Sequence, residues 1–367
     1  MSTIATRAEG ATTVGRKGFL ESKAGRAIAR NWAACFLLAM IVTFSLTGRN
    51  FLSVVNFQNV VHLQTLPLLL AAAETFVIIT GGIDLSVGFV AGLASVTAAK
   101  LMQVFMDAEM GAGGVIALGA ASALVLSLLP GLVNGIVVTR FKVPPFIATL
   151  GMWGIANGVA LKMCEGFPVA RLPGELPRLG NGFLLYVLPG EFVSFLGLPA
   201  GFPEARIREV WRLVPFSLVF VLLVLGSLAF VLRRGRFGRH TYAIGGSLDA
   251  AIRAGIDVDR HLIGTYVLAS ALAGLAGVFN VFQTGIGNYT TFSSMYELFA
   301  VAAVVIGGAS LSGGKGTVLG SAVGVLVLAF MENGLAISGV QPFYRYIMVG
   351  VLLVLAVVID KLFPDLF

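Results

Sequence analysis

Runs of roughly twenty apolar residues recur between residues 32 and 360, each long enough to cross the ~30 Å hydrocarbon core of a bilayer. In lipid, every backbone N–H and C=O must find its partner within the chain. Repeated runs of this length therefore admit helices and exclude open sheets. Composition agrees, with 57% hydrophobic and 12% charged residues, against about 25% charged in soluble domains. The 46 glycines suit helices that pack backbone to backbone. The chain reads as an all-α polytopic membrane protein of about ten transmembrane helices with glycine-rich helix breaks. Spans are expected near residues 32–47, 57–80, 88–106, 114–139, 144–162, 213–232, 263–283, 295–310, 317–334 and 343–360.

A net charge of +7 raises the question of nucleic acid, but the basic residues are not gathered on one soluble face. They cluster in a basic tail (residues 1–31) and in a polar segment (residues 233–262) that carries Arg233, Arg234, Arg236, Arg239, Arg253 and Arg260. That distribution is topogenic. It puts both segments and both termini in the cytoplasm and leaves no nucleic-acid partner. No small-residue cleavage site follows the first apolar run, so the tail is expected to precede an uncleaved span. Residues 163–212 hold Pro168, Pro173, Pro177, Pro189, Pro199 and Pro203. Prolines at that density favour an irregular external cap, with residues 192–198 as a flat interfacial helix. Its acids Glu175, Glu191, Glu204 and Glu209, with Arg206, Arg208 and Arg212, are expected as rim contacts for an external partner.

Four acids fall inside apolar runs: Glu74, Asp84, Glu297 and Glu332. Each costs several kcal/mol there unless it meets a partner or a wet cavity. Asp84 belongs to Gly81-Gly82-Ile83-Asp84-Leu85-Ser86-Val87-Gly88, a break between two apolar runs, where Asp84 or Ser86 is placed to cap the next helix. A second break, Gly307-Gly308-Ala309-Ser310-Leu311-Ser312-Gly313-Gly314, fits the same pattern G-G-x-x-L-S-x-G. Broken helices at membrane depth mark cavities and substrate routes in transporters. An Asn-Gly pair follows each break, at Asn134 and Asn333, but 53 positions separate Gly81 from Asn134 and only 26 separate Gly307 from Asn333. That spacing argues against a simple internal duplication. Asp84, Ser86, Asn134, Thr149, Glu297 and Asn333 are the expected polar lining of a path.

Within the polar segment, Asp249, Ala250 and Ala251 followed by Gly255 read as a short helix with a sharp stop. It is a handle for another protein, with the alanines against the partner. The stretch Ala309–Thr317 imitates a phosphate-binding loop, yet Ala309 replaces the first glycine and Gly316 the hydroxyl, and membrane helices flank it. His62, His240 and His261 share no ligand spacing, and Cys35 and Cys164 read as small core residues. No metal site, cofactor site or nucleophile is expected, and hence no enzyme.

Four stretches in this order resemble the permease subunits of ribose-type bacterial ABC importers. They are Ile79–Gly88; Gly131–Gly135 with Pro145–Gly151; Tyr242–Gly246 with Ala250-Ala251 and Ala254-Gly255-Ile256; and Ile306–Gly308 through Gly316-Thr317. The resemblance covers residues 61–360. It implies a subunit in the bacterial inner membrane, paired with a second copy or close paralogue. It further implies a cytoplasmic subunit that holds ATP and magnesium, and a periplasmic substrate-binding protein that delivers a monosaccharide or polyol. Asp249 stands where the family's coupling motif usually has glutamate. An ion-driven secondary transporter, with Glu74, Asp84 or Glu297 as ion site, is the other reading of the same residues.

Overall fold

The computed structural model describes residues 31–199, 201–290 and 295–362; residues 1–30 of the expected basic tail lie outside the described residues. The first half contains α1 (Trp32–Thr47), α2 (Val54–Leu63), α3 (Thr65–Ile79), α4 (Val87–Asp107), α5 (Ala112–Arg140) and α6 (Pro145–Cys164). A cap follows, made of α7 (Leu176–Asn181), β1 (Phe183–Leu188), β2 (Phe192–Phe195) and β3 (Trp211–Pro215). The second half contains α8 (Phe216–Arg234), α9 (Arg236–Gly246), α10 (Leu248–Arg253), α11 (Val258–Thr284), α12 (Tyr296–Ile306), α13 (Val318–Ile337) and α14 (Pro342–Leu362).

Among the described residues, six of these helices (α4, α5, α6, α8, α11 and α13) are long and apolar enough to cross a membrane. The expected span at 57–80 is a pair, α2 and α3, bent by 45° at Gln64. The span expected at 295–310 is shorter than foreseen. Its helix α12 has eleven residues, about 16 Å of rise, roughly half the hydrocarbon core. Helix α1, α12 and the stretch Tyr346–Leu355 of α14 make up the shorter apolar helices. The chain is a multi-pass membrane protein.

Helix α3 forms the axis of the bundle. It is apolar on every side, with fourteen of its fifteen residues buried, and it packs against α8, α11, α12 and α13. A helix without a polar face suits only such a central position. Beside it, α5 and α11 run closely together. A Cβ on Gly131 would stand 2.3 Å from the Tyr266 carbonyl oxygen, so only glycine lets the two backbones meet. One residue earlier, Pro130 interrupts the helical ladder of α5, since proline has no N–H and crowds the preceding turn. Ser270 of α11 ties the two helices together beside this proline: the Gly131 N–H donates to its Oγ at 3.0 Å, and its hydroxyl donates to the Ser127 carbonyl at 2.6 Å.

The bundle has two recognisable ends. The cap end gathers α7, the strands and the loop after α11, tied by the Val169–Gly287 bridge and by Asn181 Nδ2 donating to the Gln283 carbonyl at 2.7 Å. The arginine end gathers α9, α10 and both glycine breaks. His62 is a packed residue near the cap end, 3.2 Å from Ser217 Oγ.

The cap is more regular than its prolines suggested. Its three strands form an antiparallel sheet in the order β2-β1-β3, and residues 192–195 are a strand rather than an interfacial helix. The reason is local. Pro189-Gly190 makes a tight turn, with Gly190 at φ +81 and the Glu191 N–H on the Leu188 carbonyl at 3.0 Å. The β-branched and aromatic residues on either side then zip together. Arg206 reaches back to Glu191 at 2.5 Å and to Glu209 at 2.8 Å, and its guanidinium holds the Glu191 carboxyl below the usual glutamate range. Three of the expected rim charges thus serve the cap itself.

The Ser270 contact supplies a direct check on the bundle. Replacing Ser270 with alanine removes two buried hydrogen bonds between α5 and α11, and is expected to cost about 1–3 kcal/mol. Thermal unfolding of the detergent-solubilised protein reads that loss as a lowered midpoint; an unchanged midpoint contradicts the tie between the helices.

Candidate translocation and coupling site

The first break spans residues 80–86, between α3 and α4. Gly81 takes φ +83, and the N–H groups of Gly81 and Gly82 close onto Ile78 and Val77 at 2.9 and 3.0 Å. Asp84 organises the rest of the turn, accepting from the Ser86 N–H at 2.9 Å and the Ser86 hydroxyl at 2.5 Å. The expected helix cap is therefore a turn clasp: Asp84 binds the residue before α4, and the Ser86 side chain makes no cap bond.

Helices α5 and α6 close on this turn. Asn134 Nδ2 donates to Ser86 Oγ at 3.0 Å. Thr149 Oγ1 accepts from the Leu85 N–H at 3.2 Å and donates to the Pro145 carbonyl at 2.9 Å. Asp84, Ser86, Asn134 and Thr149 thus converge from three parts of the sequence, all but fully buried. They hold the break in shape, and in this conformation none of them faces an open path. Glu74 lies beside them, its Oε2 3.5 Å from the Asp84 N–H and its Oε1 without a partner.

The other two expected path residues lie elsewhere. Glu297 sits in the first turn of α12, buried, with Trp153 in hydrogen-bonding reach and Oε2 unpartnered. Asn333 lies near the cap end of α13 and forms a reciprocal amide pair with Asn56 of α2, both bonds 2.9 Å. It joins two helices and stands far from either break, so the resemblance between the two halves ends at the glycines.

The second break follows α12. Gly308, Gly313, Gly314 and Gly316 all have positive φ, and Thr317 caps α13 by accepting from the Gly320 N–H at 2.9 Å. The segment that imitates a phosphate loop is fed by a helix, not by the strand such a loop requires.

The two breaks touch. The Gly314 N–H donates to the Ile79 carbonyl at 2.8 Å, so the open end of α3 is closed by the loop after α12. The C-terminal end of α9 lies across the same spot. Tyr242 Oη donates to the Gly316 carbonyl at 2.7 Å, and a Cβ on Gly245 would stand 1.8 Å from the Ile79 oxygen and 2.5 Å from the Gly314 nitrogen. Gly245 and Tyr242 carry this contact, and sequence reasoning gave neither a role. The Tyr-Ala-Ile-Gly-Gly stretch was visible, but nothing local signals what a glycine will touch.

Helix α10 projects from this junction. Ser247 caps it by accepting from the Ala250 N–H at 3.3 Å, and Gly255 ends the segment at φ +78. Asp249, in the first turn, and Ala250 are exposed, but Ala251 is buried against the protein's own body. The face offered outward holds Leu248 and Ile252, 49% and 56% exposed, beside the exposed Ala250, while Ala251 turns inward. His240 and His261 come within 5.9 Å of one another, yet among the described residues no group of three side chains can hold a metal.

Gly245→Ala forces backbone from backbone and is expected to cost about 1–3 kcal/mol. Gly246→Ala, with open space around it, should cost almost nothing. Paired thermal unfolding of the two variants checks the contact, and equal midpoints contradict it.

Comparison with known proteins agrees with this geometry. The family described as "Branched-chain amino acid transport system / permease component" matches residues 56–357. The chain is 35% identical over 325 residues to the ribose import permease protein RbsC of Escherichia coli (strain K12), covering 89% of this chain and 91% of that one. It is 34% identical to the RbsC of Bacillus subtilis (strain 168), with 89% and 90% covered. It is 32% identical to the L-arabinose ABC transporter permease protein AraH of Azospirillum brasilense, with 91% and 88% covered. No solved structure matches the chain. Both glycine breaks and the helix pair α9–α10 fall inside the matched region, and the chain belongs to the ribose-type permease family of ABC importers.

Proposed function

We propose that this chain is the membrane-spanning subunit of an importer that moves a monosaccharide or polyol, delivered by a periplasmic binding protein, into the cell. Two copies, or one copy and a close paralogue, span the bacterial inner membrane with both termini and α10 in the cytoplasm. A separate subunit binds ATP and magnesium, and closure of that subunit moves α10. Relatives named for ribose, D-allose and L-arabinose support the substrate class.

The observation that carries the coupling role is the path from α10 to the breaks. Leu248 and Ile252 lie four residues apart, one turn of helix, and present an exposed apolar pair fit for a groove. Three residues before Leu248, Gly245 rests on Ile79 and Gly314. A displacement of α10 therefore reaches both breaks through packed backbone, and rigid contact of this kind transmits motion. Asp84, Ser86, Asn134 and Thr149 keep the first break intact as it moves. The ion-driven alternative draws on the unpartnered oxygens of Glu74 and Glu297.

Proteoliposomes holding the chain, its ATPase subunit and its binding protein decide between them. Uptake of labelled sugar is expected to need ATP, and the chain alone to hydrolyse none. Leu248→Asp with Ile252→Asp should cut uptake by about tenfold or more, the scale of losing a central apolar anchor. Uptake that persists without the ATPase and collapses with an uncoupler would favour the ion-driven reading.

A further inference from the structure

The register of the cap sheet gathers apolar residues on one face. Leu185 of β1 pairs with Phe195 of β2 and Leu213 of β3, and Val187 pairs with Val193 and Trp211. Directly opposed residues of an antiparallel ladder share a face, as do residues two apart on one strand. These two rows therefore form one patch of six apolar side chains across three strands. The alternate row, Tyr186 with Ser194 and Arg212, belongs to the other face. So do Leu188, which is buried, and Phe192, whose ring lies 5.4 Å from that of Phe202. The apolar face is the uncovered one: Val193, Phe195 and Trp211 on its edge strands are 62%, 69% and 61% exposed.

Two anchors set this sheet at the level of the lipid headgroups. Strand β3 runs directly into α8 at Phe216. The nineteen residues of α8 rise about 28 Å, close to the thickness of the hydrocarbon core, and end at Arg233 and Arg234. The end of β3 is therefore the cap-side boundary of a span. Alongside, Gln58 of α2 donates its Nε2 hydrogen to the Arg212 carbonyl, and β3 packs against both α2 and α8. From Gln58 to Ile79 at the first break, the bent pair α2–α3 rises about 30 Å. Arg212 thus stands at the edge of the core rather than out in water. The same end of α2 carries the exposed apolar residues Val54, Val55 and Phe57, so the sheet face continues a surface that already meets lipid.

An exposed patch of six apolar side chains with no charge in either row marks a contact with membrane or protein rather than with water. Continuity with two spans selects the membrane. The residue types agree: the indole of Trp211 joins an apolar body to one N–H donor, the combination that settles at headgroup depth, and Val193 and Phe195 suit the outermost acyl carbons. We propose that this face is an interfacial anchor that lays the cap on the leaflet at its own end of the bundle, with Val193, Phe195 and Trp211 in lipid. Asn181 and the Val169–Gly287 bridge tie the cap to α11 and the loop after it. The anchor therefore fixes the height of that end of the bundle in the bilayer.

The test uses the full chain in lipid nanodiscs. In a background of Cys35→Ser and Cys164→Ser, a nitroxide label is placed on Phe195→Cys and, for comparison, on Asp249→Cys at an exposed position of α10. Relaxation by oxygen, which concentrates in lipid, relative to relaxation by a water-soluble nickel chelate is expected to be several-fold higher at position 195. A second variant keeps the sheet itself intact. With Trp32→Phe and Trp153→Phe, emission from Trp211 should be quenched by phosphatidylcholine brominated near the headgroup end of its acyl chains and shielded from aqueous iodide. Equal oxygen-to-nickel ratios at the two labels overturn the anchor, as does Trp211 emission that iodide quenches and brominated lipid does not. Dipolar broadening between labels at position 195 of two copies would place a second copy on this face, and also overturns it.

Discussion

Inside a bilayer an opened backbone hydrogen bond has no water to turn to, and this structure is arranged around that requirement. Beside Pro130 in α5, Ser270 of the facing helix bonds the Gly131 N–H and the Ser127 carbonyl. Where α3 ends at Gly81-Gly82, the loop after α12 supplies Gly314 to close the Ile79 carbonyl. Each break is thus satisfied by a distant part of the chain, and the satisfaction fixes which distant part. Helix α9 joins that contact because Gly245 has no side chain to keep it away.

The same constraint explains why the polar residues of the break read as a path lining in sequence and are structural in space. Asp84, Ser86, Asn134 and Thr149 each occupy a hydrogen bond that the break would otherwise leave open. A buried, fully paired network of this kind gives rigidity and a unique geometry. In this conformation they hold the break in shape, and none of them faces an open path.

Much of this was legible in the sequence, for physical reasons. Apolar runs report the bilayer directly, which made the class and most of the spans readable. Paired glycines report broken helices, and both breaks occur where Gly81-Gly82 and Gly307-Gly308 stand. The Ser86–Asn134–Thr149 convergence was foreseen only as a set of polar residues, because which helix faces which is set by packing. The cap sheet was hidden behind its prolines, although Pro189-Gly190 was the turn that makes it. Ala251 was assigned outward and lies inward, since a six-residue helix shows too few turns to fix its face from sequence. Asn333 matched Asn134 in local sequence and not in role, because its partner Asn56 lies 277 positions away.

The central claim is that the loop helix α9 rests on the second glycine break. A benzophenone amino acid at Tyr242, whose hydroxyl meets the Gly316 carbonyl at 2.7 Å, tests it in the intact membrane. After irradiation, mass spectrometry of the cross-linked peptide is expected to place the adduct within residues 307–317. Adducts confined to α9 itself, or found on a segment remote from both breaks, would contradict the claim.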